Sequence, residues 1–342
     1  MSRAIAAVVR RPRRSAMAMA AAMAALVAGL ASAPAQALGP YPDLGQCQVF
    51  PDPPASLSPT APSLPNQAAW NQDVSRAPLA RNSAATIAYI DSHGGNFLHP
   101  DFGSPRAYGF PYAVVGAGQR KLPIHYTAYG DESDRGPFPI PTGAPVEGGR
   151  RSDGDRHVLA VDRSTCMLYE LYRAFPIGDP RPGRWNADSG AAWDLRSTAL
   201  RPDSWTSADA AGLPIFPGLV RYDAAASARI DHAIRVTFES TRDAWVHPAS
   251  HCAGDTANPN APAMGTRLRL KAGYGLGGFS GTARTLAEAL KRYGMIVADN
   301  GSNWFFSGSS DRRWDDENLN QLKRIPGSAF QVVRSAARPQ AC

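Results

Sequence analysis

Punctuation constrains this chain more than any other feature. The sequence holds 31 Gly and 30 Pro in 342 residues, and with Asp and Asn beside many of them the intervening runs are mostly too short for a helix of three turns. Short runs bounded by turn residues, several of them alternating at period two, suit strands: YAVVG (112–116), PIHYTAY (123–129), HVLAVD (157–162), MLYELYRAF (167–175), HAIRVTF (232–238), AWVH (244–247), TRLRLK (266–271), MIVAD (295–299), NWFFS (303–307) and AFQVV (329–333). The best helix spans Gly281 to Tyr293, with Ser280 as N-cap, Leu286 and Leu290 on one face and Gly294 after its end. Shorter helices are expected over 82–92, 223–229 and 315–323. Strands and helices do not alternate regularly, so a doubly wound parallel sheet is disfavoured. The pattern predicts a mainly β fold, an antiparallel β-sandwich or jelly roll with a few short helices.

The N-terminus dictates the compartment. Arg3, Arg10, Arg11, Arg13 and Arg14 precede the apolar run from Ser15 to Ala31 and the small-residue exit SAPAQA, the layout of a secretory signal cleaved after Ala37. The chain is therefore expected in the periplasm or outside the cell, with no membrane contact after cleavage. Residues 38–65 are proline-rich and read as an extended lead-in, and 66–342 as one β-rich domain. The net charge of +7 loses five arginines with the signal, which leaves the mature chain near +2. No dense basic run with interleaved aromatics remains, so a nucleic-acid partner is not expected. Cys47, Cys166, Cys252 and Cys342 all follow the signal. An even count in an exported chain predicts two disulfides with three possible connectivities, of which a Cys47 bridge would anchor the lead-in.

Candidate chemistry lies in four places. In the stretch Trp193–Asp223, Ser207 can cap a first turn that carries Asp209 among Ala208, Ala210, Ala211 and Gly212, small neighbours that let a ligand approach the carboxylate. In DESD, Glu132 and Asp134 share a face if the preceding strand continues, so acid and base could converge from different loops as glycoside hydrolysis requires. His157 alternates with Leu159 and Val161 and fits either a general base or a satisfied core histidine. His247, His251 and Asp255 fall four apart; on a helix they would offer a metal three ligands, but Pro248 and Gly254 favour a loop. Each carboxylate also has a structural reading, as a loop tie or a solvated turn.

The tryptophans sit beside polar residues, as in SNWFFS and DRRWDD, a composition suited to saccharide surfaces. Trp205, Trp193 and Trp304, with Arg267 on its strand, are therefore expected to bind substrate. No nucleophile elbow, phosphate loop, dinucleotide fingerprint, zinc-protease or calcium-loop motif occurs, and no cofactor is expected. The phrases FLHPDFGS (97–104), GDESDRGPFPIP (130–141), GDRHVLAVDR (154–163), RPDSWTSADAAGLPIFPGLVRYD (201–223) and YGMIVADNGSNWFFSG (293–308) resemble those of a group of secreted bacterial proteins. That resemblance implies one exported domain and carries no activity or site residues. The expectation is a secreted polysaccharide hydrolase or lyase using carboxylate and histidine acid–base chemistry. A non-catalytic glycan-binding or envelope protein, or a metal-dependent hydrolase, would share much of the same sequence pattern.

Overall fold

Strands form where the sequence alternates or turns apolar on both sides, and several of them end at or beside Gly or Asp. The computed structural model describes residues 39–342 apart from 48, 51, 54–57, 59, 104–107 and 179–182. The signal expected at 1–37 lies outside the described residues. In chain order the elements begin with α1 (Ser83–Ser92), β1 (Tyr112–Val115), β2 (Ile124–Tyr126), β3 (Val158–Asp162), β4 (Met167–Tyr172), β5 (Phe175–Ile177), β6 (Arg184–Ala187) and β7 (Ser189–Asp194). They continue with α2 (Tyr222–Ala226), β8 (Ile234–Phe238), β9 (Arg242–Trp245), β10 (Ala263–Met264) and β11 (Arg267–Leu270). The last are α3 (Gly281–Arg292), β12 (Met295–Asn300), β13 (Phe305–Phe306), α4 (Asp316–Asn320), β14 (Phe330–Val332) and β15 (Gln340–Ala341).

The strands assemble into sheets ordered β1-β3-β4-β7, β13-β8-β12-β11-β14, β2-β6-β5 and β10-β9-β15. The fold is sheet-rich with few helices, as the punctuation predicts, but the sheets are mixed and not antiparallel. β1 runs parallel to β3, β2 to β6, β8 to β12 and β9 to β10. Parallel neighbours need long crossovers, and between β8 and β12 the connection contains the amphipathic α3, which packs on β11. α3 matches its predicted limits, and Gly294 after it takes the left-handed φ of 70°.

β3 shows why two-sided burial was hard to foresee. All five of its residues are buried. Leu159 and Val161 face the main core with Leu168, Val236 and Ile296, whereas Val158 and Ala160 face a second cluster with Phe138, Leu171 and Trp185. β6 and β7 (RWNA and SGAAWD) were not foreseen, because Ser, Gly, Ala and Asp are poor strand formers. β7 is small for a reason: a Cβ at Gly190 would lie 2.5 Å from the Tyr126 hydroxyl.

The described part of the lead-in belongs to the body. Cys47 bonds Cys166, Phe50 is buried in the main core, Tyr41 stacks on Tyr112 at 3.7 Å, and the Ser63 amide donates to the Arg334 carbonyl. The second disulfide joins Cys252 to Cys342 beside the β9–β15 pair. All four cysteines are thus paired, which fits an oxidising compartment. Among the described residues no helix is long and apolar enough to cross a membrane.

Candidate active site

Asp209 sits in a turn and not in the short helix expected from its alanines. Ser207 Oγ accepts from the Asp209 amide at 2.9 Å and donates to the Leu213 carbonyl at 2.6 Å. Ala211 N–H bonds the Ala298 carbonyl of β12, and Ser250 N–H bonds the Ala211 carbonyl, so the turn is threaded between two segments. Gly212 closes it at φ 68°, where a Cβ would lie 2.1 Å from Ser250 Oγ. The small residues therefore let backbone approach from both sides.

Asp209 is 1 % exposed. Its Oδ1 accepts from Arg235 Nη2 at 2.5 Å and Nε at 3.1 Å, while its Oδ2 has no hydrogen-bond partner among the described residues. Arg235 projects from β8, giving Nη2 also to Asp299 Oδ2 at 2.6 Å and Nη1 to Ser307 Oγ at 3.0 Å. Asp299 reaches it through a bulge. The β8–β12 register shifts between Val297 and Asp299, so that Asp299 pairs with Thr237. Thr237 shares the face of Arg235; without the extra residue Asp299 would stand opposite Phe238, which faces the core.

Behind these groups lies His157. Its Nδ1 is 2.5 Å from Glu147 Oε2 and its Nε2 is 2.9 Å from the carbonyl of Ala208. Burial opposes a charge on the imidazole, but the Glu147 carboxylate overrides it and raises the pKa to about 9. Glu147 in turn lies below its usual value despite burial, because of His157. With both ring nitrogens donating, His157 is a fixed cation that holds the residue before Asp209. Two cations, His157 and Arg235, thus face three carboxylates, Glu147, Asp209 and Asp299. One acid is in excess in a site of low dielectric, which favours the neutral form of the most buried of them: burial pushes Asp209 up to about 6, against the pull of Arg235. Burial raises Asp299 as well.

These groups floor a cleft of two adjoining cavities, about 170 and 220 Å³, which share Asp155, His157 and Asp299. Tyr129, Tyr172, Ser189, Thr206 and His251 line one end, and Tyr108, Phe305, Asn300 and Ser302 the other. Asp155 stands exposed at the junction. Beneath the floor, Glu170 of β4 accepts from the Ile215 and Phe216 amides and is pushed by burial up to about 7, which fixes the proline arm after Asp209.

Of the residues singled out by sequence, Asp209, His157 and His251 meet in this cleft. Glu132 and Asp134 do not line it. Glu132 Oε2 accepts from the Thr206 amide at 2.9 Å, and Asp134 Oδ2 accepts from Arg201 Nη1 and the Ala192 amide, so both tie the 201–206 loop to its neighbours. Trp193 and Trp304 are buried; Trp304 packs on Phe238 and donates to Asp91, so neither ring is open to a sugar. Trp205 is half-buried, with the Arg201 guanidinium 5.4 Å from its ring centre, and lies outside the cleft lining. Arg267 is buried, donating to the carbonyls of Tyr293, Ala69 and Gln72, and burial lowers it to about 9.

His247, His251 and Asp255 do not gather. They bond Asp203, the Ala210 carbonyl and Ser240 respectively. Glu147, Arg235, Asp299 and Glu170 were missed. Arg235 and Glu170 did carry a signal, a charge alternating with apolar neighbours inside a strand, whereas Glu147 lies in a loop without pattern. No family model, curated protein or solved structure matches the chain.

Proposed function

We propose that this chain is an exported glycoside hydrolase acting on a neutral saccharide, with Asp209 as general acid and Asp299 as its carboxylate partner. The observation that carries the reading is the buried, unpartnered Oδ2 of Asp209 in the lining of a polar cleft. A protonated Asp209 accepts from Arg235 through Oδ1 and keeps Oδ2–H at the cleft wall; because Oδ2 is itself sealed from solvent, delivery of that proton to the leaving-group oxygen of a bound sugar requires the 208–212 turn to yield as the sugar binds. Asp299, more exposed and held by Arg235 and the Asn300 amide, is the group to act as nucleophile or base. Both carboxylates rest on one guanidinium nitrogen, which favours the short separation of roughly 5 Å found in retaining enzymes. Tyrosines and hydroxyls around the cleft supply stacking and hydrogen-bonding surface for a sugar.

A lyase fits less well, since neutralising a uronate needs a free cation and Arg235 is already engaged by Asp209, Asp299 and Ser307. The test is turnover of neutral polysaccharides by the wild type, D209N and D299N. Asp209→Asn is expected to lower kcat/KM by roughly a hundredfold or more, with melting at pH 5 nearly unchanged. In the wild type kcat/KM is expected to fall as pH rises through about 6, where Asp209 loses its proton. Wild-type protein that binds such a glycan in calorimetry yet releases no product would instead make the chain a binding protein.

A further inference from the structure

A second recess, separate from the acidic cleft, is strongly basic. It encloses about 590 Å³ and is lined by Arg81, Arg242, Arg334 and Arg338 together with small, valine and proline side chains, and its lining contains no Asp or Glu. Arg267 also reaches it, but its guanidinium is bound to backbone carbonyls. The other four make no side-chain hydrogen bond or ion pair among the described residues. They come from distant parts of the chain: Arg81 precedes α1, Arg242 opens β9, Arg334 follows β14, and Arg338 lies in the tail before β15.

The walls are held firmly. Arg334 N–H donates to the Pro78 carbonyl and the Ala80 amide to the Val332 carbonyl, which joins the segment of Arg81 to that of Arg334. The tail carrying Arg338 is pinned by the pairing of β15 with β9 and by the Cys252–Cys342 disulfide. Guanidinium groups stay charged at any physiological pH. Four of them around one concavity repel one another, and the protein supplies no counter-charge in the lining. The forked donors of arginine match carboxylate, sulfate or phosphate oxygens two at a time.

We propose that this groove binds a linear anionic polysaccharide. A recess bordered by arginines from four separate segments suits a chain bearing repeated charges. Its lining has no aromatic ring, so it lacks the stacking platform of single-stranded nucleic-acid sites. Its concavity does not suit a flat bilayer. The groove would retain the exported protein on acidic polymer while the cleft remains free, and it stands independently of the chemistry assigned to that cleft.

The experiment compares the full-length mature wild type with the R81Q/R334Q/R338Q variant on immobilised heparin, a sulfated probe, and in calorimetry with polygalacturonate oligomers, a carboxylate probe. The wild type is expected to bind at least one of the two in a salt-dependent manner. The variant is expected to lose at least tenfold in affinity and to show a log-affinity against log-salt slope shallower by roughly two to three. Its melting temperature should stay put, because the deleted groups make no bonds; if it does not, R338E alone, in the exposed tail, serves as the folded comparison. Wild type that binds neither probe, a variant that binds both as tightly as the wild type, or binding to anionic lipid vesicles without binding to either oligosaccharide overturns the proposal.

Discussion

Arg235 and His157 fix what Asp209 can do. Arg235 gives its guanidinium to two carboxylates and a hydroxyl in a fully buried position, and removing it would leave Asp209 and Asp299 facing each other without a cation. R235A is therefore expected to lose about 3–5 kcal/mol of stability in denaturant unfolding. His157 works through position. Its folded pKa lies above the unfolded value of 6.5, at about 9, so its ion pair with Glu147 stabilises the fold fully below pH 6.5. That contribution is lost as pH rises through about 9. The stability gap between wild type and H157Q should accordingly shrink between pH 6.5 and 9; a gap constant across that window would show that His157 is neutral in the fold. Asp209 was legible in the sequence because a carboxylate among alanines and a glycine marks a tight backbone approach. Glu147 was not, since nothing in a glycine-rich loop tells which face of the protein its side chain will meet.

Between residue and fold, the bulge in β12 and the turn around Gly212 deliver the carboxylates. In MIVADN four apolar residues run together before Asp299, so the sequence carries no mark of a bulge, and only the pairing with β8 reveals the extra residue that turns Asp299 toward Arg235. Register is a tertiary property, which is why Asp299 escaped a reading of single strands. α3 was legible almost to the residue, because a full apolar stripe and a terminal glycine are local signals. The turn makes a sharp prediction. G212A places a Cβ against Ser250 Oγ and 2.6 Å from the Trp205 carbonyl at a positive φ, and should cost about 2 kcal/mol or more. In calorimetry its melting temperature should drop, and amide exchange should quicken over 206–213; an unperturbed melt would mean that the turn relaxes freely.

For the whole molecule, the mainly β character and the paired cysteines followed from punctuation and cysteine count. The mixed sheets did not, because strand direction depends on crossovers that composition does not encode. The 119-residue span between Cys47 and Cys166 ties the lead-in to the turn between β3 and β4. C47S/C166S is expected to lose about 2–5 kcal/mol in denaturant unfolding and to free residues 39–50 to protease, while activity per folded molecule persists. On the cleft floor carboxylates outnumber cations, and the general-acid role rests on Asp209 holding the proton. A carboxyl NMR titration of protein labelled at aspartate, with the Asp209 signal identified by its absence in D209N, measures this without any substrate. Asp209 is expected to titrate with a midpoint near pH 6; a midpoint at or below the ordinary 3.8 would show a plain ion pair with Arg235 and remove the general acid from the cleft.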